Sequence, residues 1–103
     1  MMITKDNFSD CVAKGISVVN FYADWCPGCG DVKEEIDKIK DQYDGAVRVY
    51  SVNIDCETEL AVDYNIFSIP CVILFNDGEA VKRISGAENY TVYASEIEHA
   101  LAN

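Results

Sequence analysis

The sequence predicts a layered α/β domain built on a mixed sheet, and three observations carry that expectation. A short, nearly continuous apolar and aromatic run, Ser17-Val18-Val19-Asn20-Phe21-Tyr22-Ala23, has the character of a central strand covered on both faces. Helical stripes of apolar residues alternate along the chain with such runs. A second run, Cys71-Val72-Ile73-Leu74-Phe75, meets the turn signal Asn76-Asp77-Gly78-Glu79 and then Ala80 to Ile84, so the chain closes in a hairpin.

In chain order, a first helix begins near Asp6, with Thr4 or Asp6 as its cap and Phe8, Cys11 and Val12 turned inward, and Gly15 ends it. The strand 17–23 follows. After Cys26 the apolar positions become Val32, Ile36, Ile39 and Tyr43, a helical stripe that stops at Gly45. Its other face, with Asp31, Lys33, Glu34, Glu35, Asp37 and Lys38, reads as solvated surface. Val47 to Ile54 alternates Val47, Val49 and Ser51 against Arg48, Tyr50 and Val52, which suits a strand. Leu60, Ala61 and Tyr64 support a short helix over 57–64, and a final helix from Asn89 to Ala102 buries Tyr93, Ile97 and Leu101, with Asn89 as cap.

The chain of 103 residues has no linker, repeat or low-complexity tract, so one domain over 1–103 is expected. Folding at this size buries roughly 65% of the unfolded surface, enough for one core. No apolar run approaches the ~18 residues of a membrane-spanning helix. The opening Met1-Met2-Ile3-Thr4-Lys5-Asp6 lacks the pattern of a secretory signal, which points to the cytoplasm. Eighteen acidic against eight basic residues give a net charge of -10, which disfavours nucleic acid and anionic membranes as partners.

Five cysteines, Cys11, Cys26, Cys29, Cys56 and Cys71, cannot all pair internally, and an odd count fits a reducing compartment. Only Cys26 and Cys29 are closely spaced. A structural zinc site would need a second close pair or matching histidines, and the one histidine, His99, stands alone near the end. Trp25-Cys26-Pro27-Gly28-Cys29 falls where a buried strand gives way to a helix. Helix-start N–H groups and the positive end of the helix dipole stabilise a thiolate, the form that attacks disulfides. Pro27 suits the first helical position, where a missing N–H costs nothing. Cys26, nearer the rim, is the expected nucleophile; Cys29, further inside, would resolve the mixed disulfide.

Almost the whole chain resembles the thioredoxin family. The stretches that carry the resemblance are Val18 to Cys26, Val52-Asn53-Ile54-Asp55, Ile66-Phe67-Ser68-Ile69-Pro70, Leu74-Phe75-Asn76-Asp77-Gly78 and Ser85-Gly86-Ala87. The resemblance implies a thioredoxin fold, with a central mixed sheet of four to five strands flanked by helices on both faces. It implies a cis Pro70 facing the Cys26–Cys29 disulfide and a docking surface for substrate made of Trp25, Ile69, Pro70, Gly86 and Ala87. It also implies protein disulfides as substrates, regeneration by a thioredoxin reductase (usually a flavoprotein drawing on NADPH), a monomer, and no bound cofactor or metal.

The chain departs from the family pattern at five places. Pro27-Gly28 reverses the usual order and leaves an N–H at position 28 as a further donor to the Cys26 sulfur. Asn20 stands where the family has a buried aspartate, and Ser51 where a lysine often accompanies it. An amide is no general base near neutral pH, so deprotonation of Cys29 must rely on water, the departing sulfur or another carboxylate. Cys71 follows Pro70 where threonine is usual, and Gly30 replaces a basic residue. Cys11 reads as packing, Cys56 as a surface thiol, and His99 as a complement to the last helix's dipole. Two other functions stay open: a non-catalytic binding module that keeps the docking surface, and a metal or iron–sulfur carrier using Cys26, Cys29 and Cys71.

Overall fold

The computed structural model describes residues 3–102. Its elements run α1 (Phe8–Val12), β1 (Ile16–Tyr22), α2 (Cys29–Gln42), β2 (Val47–Asn53), α3 (Thr58–Asp63), β3 (Cys71–Asn76), β4 (Glu79–Ser85) and α4 (Tyr90–Leu101). The sheet has four strands in the order β2-β1-β3-β4. β1 is parallel to β2 and antiparallel to β3, and β3 pairs antiparallel with β4, so the sheet is mixed.

Helices cover both faces because the inner strands are apolar on both. Val19, Phe21, Ile73 and Phe75 pack with Phe8, Val12 and Leu60 from α1 and α3. Val18, Val72 and Leu74 pack with Val32, Ile36 and Ile39 of α2 and with Tyr93 and Ile97 of α4. Burying each such side chain contributes about 1.5–3 kcal/mol before entropy is subtracted. Among the described residues, no helix is long and apolar enough to cross a membrane.

Three details differ from expectation. The residue before α1 is Asn7, not Thr4 or Asp6, and its carboxamide oxygen turns back to accept from the Thr4 N–H at 2.8 Å instead of capping the helix. In α4 the third inward residue is Ala100, while Leu101 is exposed, because a 3.6-residue period passes position 100 on the same face. Asn89 caps α4 as expected, accepting from the Val92 N–H at 3.3 Å. Finally, the polar face of α2 is not wholly solvated: Glu35 accepts from the Tyr90 N–H at 2.8 Å and joins α2 to the start of α4.

Candidate active site

β1 ends at Tyr22, and two turns follow before α2 begins. The Cys26 N–H donates to the Ala23 carbonyl at 3.2 Å, and the Cys29 N–H to the Cys26 carbonyl at 3.4 Å. Gly28 has φ 90° and ψ -18°, the geometry of the third residue of a type II turn, and Pro27 occupies the second position that proline favours. Cys26 and Cys29 are thereby 5.5 Å apart between Cα atoms and joined by a disulfide. The order Pro27-Gly28 suits this turn, since the reverse order would put proline at a positive φ it cannot adopt. Pro27 is therefore not the first helical residue. The left-handed Gly28 precedes the helix, which starts at Cys29.

Both sulfur-bearing residues are buried, Cys26 at 9% exposure and Cys29 at 6%, and they pack against Ala23, Tyr22, Ile54 and Ile69. The Ile69–Pro70 bond is cis. The Gly86 N–H donates to the Pro70 carbonyl at 2.9 Å. A Cβ built on Gly28 would stand 3.8 Å from that of Ala87. The fold thus gathers Cys26, Gly28, Ile69, Pro70, Gly86 and Ala87 at one end of the sheet, although three separate loops supply them. Trp25 is 66% exposed beside them, its indole N–H donating to the Asp55 carboxylate at 2.8 Å. Asp55 is itself set by a local turn, its N–H donating to the Asn53 side-chain oxygen at 2.9 Å.

Asn20 lies on the α2 face of β1, the face of Val18, and is 3% exposed. Its register partner on β2 is Ser51, as the matched positions anticipate. A cavity of about 360 Å³ adjoins the disulfide, and Asn20, Asp24, Cys26, Cys29, Lys33 and Ser51 are among its walls. The Asn20 side-chain oxygen is buried and has no hydrogen-bond partner among the described residues.

Cys71 does not join the pair. It shares the α1/α3 face with Phe21 and Ile73, 1% exposed, and the Arg83 guanidinium touches its sulfur at 3.9 Å. Burial pushes the Cys71 thiol up, and Arg83 and Ser85 only partly offset this. No group of three or more His, Cys, Asp or Glu among the described residues could hold a metal ion, so the carrier using Cys26, Cys29 and Cys71 is not favoured. Cys11 is half-buried, Cys56 exposed, and His99 sits in the last turn of α4.

Sequence reasoning missed Asp55 as the partner of Trp25, along with Asp24 and Lys33 in the cavity wall. Asp55 lies in a stretch that carries the family resemblance, but no spacing ties it to a tryptophan 30 residues earlier.

The chain's matches to known proteins agree. The family model described as Thioredoxin matches residues 1–99. A thioredoxin of Staphylococcus saprophyticus is 30% identical over 93% of this chain and 92% of its own length. A thioredoxin of Synechocystis is 38% identical over 79% of this chain and 76% of its own. Among solved structures, a mutant thioredoxin from Halobacterium salinarum superposes with a TM-score of 0.87 at 23% identity, covering 97% of this chain and 90% of that one.

Proposed function

This chain belongs to the thioredoxin family, and from that membership we propose how its thiols divide the work. The protein is a thiol–disulfide oxidoreductase that reduces protein disulfides and depends on a reductase partner. In the proposed cycle the Cys26 thiolate attacks one sulfur of a substrate disulfide. A Cys26–substrate bond forms and the substrate's second sulfur leaves as a thiolate. Cys29 then gives up its proton and attacks the Cys26 sulfur. The Cys26–Cys29 bond forms, the mixed bond breaks, and the substrate departs with both sulfurs reduced. The oxidised pair is restored by a thioredoxin reductase, usually a flavoprotein drawing on NADPH. Neither step calls for a cofactor or metal in this chain.

The observation that carries this assignment is the Cys26–Cys29 disulfide packed on Ile69, beside the cis Pro70. A substrate segment would lie extended across Ile69 and pair with its backbone, with Trp25, Gly86 and Ala87 as its borders and Pro27 and Gly28 shaping the turn above. The same proposal has the chain act as one domain over 1–103, a cytoplasmic monomer indifferent to nucleic acid and membranes. A purely binding role is disfavoured by the closed redox pair itself.

Trapping tests the assignment. Cys29→Ser should hold disulfide-linked protein partners that a thiol reductant releases, while Cys26→Ser should hold none. Equal trapping by both variants, or full insulin-reducing activity in Cys26→Ser, would reject the roles.

A further inference from the structure

Resolution of the mixed disulfide requires a base for the Cys29 thiol, and the usual position for one holds Asn20. The cavity beside the disulfide supplies the missing element. Its volume of about 360 Å³ admits several waters, and its walls offer polar partners to hold them. Asn20 brings a buried side-chain oxygen with no protein partner among the described residues, an acceptor suited to orienting a water next to Cys29. Among the described residues that line the cavity, Asp24 carries the only carboxylate.

We propose that Asp24 accepts the proton of Cys29 through water in this cavity, with the Asn20 carboxamide orienting that water. This relay rests on the roles of Cys26 and Cys29 in the proposed cycle. The proton leaves the Cys29 sulfur for water as a second proton passes from water to the Asp24 carboxylate. The Cys29 electron pair forms the bond to Cys26, and the electron pair of the mixed bond leaves with the substrate thiolate. Asp24 is exposed at the rim, so it returns its proton to bulk solvent. The substrate disulfide is the oxidant, and nothing else is consumed.

The other titratable groups in the walls are poor candidates. Lys33, from α2, lies 2.9 Å from Asp37, and that hydrogen bond raises its amine so that it stays protonated. Tyr22, from β1, presents a phenol, which is a donor rather than a base at neutral pH. Cys26 is tied up in the mixed disulfide. Asp24 sits in the turn that carries β1 into the site, closed by the Cys26 N–H to Ala23 bond, so Asp24→Asn leaves that backbone bond untouched.

Stopped-flow reaction of the reduced protein with a chromogenic aromatic disulfide separates the two chemical steps. Attack by Cys26 is second order in reagent. Resolution by Cys29 is first order and independent of reagent concentration, which also distinguishes it from slower labelling of Cys56. At neutral pH, Asp24→Asn should slow the first-order phase about tenfold or more and leave the second-order phase unchanged. The deficit should close as pH rises through the range where a thiol ionises unaided. Asp24→Glu should recover most of the rate. In an Asn20→Asp background, which supplies its own carboxylate, adding Asp24→Asn should cost less than about threefold. An unchanged first-order phase in Asp24→Asn, or a deficit that persists at high pH, overturns the role of Asp24. A first-order phase that survives Cys29→Ser overturns instead the assignment of Cys29.

Discussion

The indole N–H of Trp25 donates to the Asp55 carboxylate across 2.8 Å, joining the loop after β1 to the loop after β2 over a largely exposed ring. An aromatic plate held in this way presents apolar area at low entropic cost, because the ring is already oriented before substrate arrives. Asp55→Ala should release it. The expected outcome is a rise of about threefold in KM for a protein disulfide, with kcat near wild type, matching the modest net worth of one hydrogen bond. A small aromatic disulfide, which does not span the surface, should react unchanged. Steady-state kinetics with both substrates checks this. Fluorescence polarisation of the chain's one tryptophan should fall in the variant.

Gly28 is a second point of leverage. Its φ of 90° lies in the left-handed region, and a Cβ there would meet only Ala87 at an ordinary 3.8 Å. Gly28→Ala therefore costs through the backbone rather than through a clash, by about 1–2 kcal/mol. Thermal unfolding of the oxidised protein should show Tm lowered by roughly 4–8 °C per kcal/mol. Gly30→Ala, at a helical position with open space around it, should leave Tm unchanged or raised.

The contrast between these glycines shows where sequence reading reaches its limit. β1, the β3–β4 hairpin and the Asn89 cap were legible because continuous apolar runs, an Asn-Asp-Gly turn and a capping side chain are local signals. Pro27 was ambiguous. The first position of a helix and the second of a type II turn both want φ near about -65°, and only the left-handed Gly28 after it separates them. Leu101 and Ala100 both lie near the stripe begun by Tyr93 and Ile97; the helical period favours position 100, whereas side-chain apolarity favours the leucine. The Cys26–Cys29 pair announced itself by spacing. Asp55 reaches Trp25 from a loop 30 residues away, and the cavity brings Asp24 and α2 together with Ser51 of β2, which no periodicity encodes.

Glu35 gives a pH-dependent prediction. One carboxylate oxygen accepts from the Tyr90 N–H at 2.8 Å and the other from Lys38 at 2.6 Å. The Lys38 hydrogen bond first, and then the Tyr90 N–H, lower its pKa from the ordinary 4.5. A carboxylate lowered in the folded state adds stability that is present above the unfolded value and is lost as pH falls through the folded one. Glu35→Gln should therefore be less stable than wild type at neutral pH, and the difference should shrink to nothing in acid below both values. Denaturant titrations from about pH 3 to 7 measure it, and a gap that persists at the acid end would assign the effect to shape rather than charge.

Asn20 gives a prediction of the opposite sign. Asn20→Asp places a carboxyl at a position only 3% exposed, with Val72 on one neighbouring strand and Ser51 on the other. Desolvation with no cation at the Ser51 position raises its folded pKa above the unfolded value, because burial penalises the charged form. The variant should then match or exceed wild-type stability in acid and lose ground as pH climbs from about 4 through the raised value. Each pH unit separating the folded and unfolded values costs about 1.4 kcal/mol. Ser51→Lys in the same chain should recover part of that loss by supplying the missing cation, although Ser51→Lys alone, a half-buried charge without a partner, should destabilise. Urea unfolding of the four proteins across the same pH range decides it. A double variant no more stable at high pH than the sum of its parts would mean that positions 20 and 51 do not share one electrostatic site.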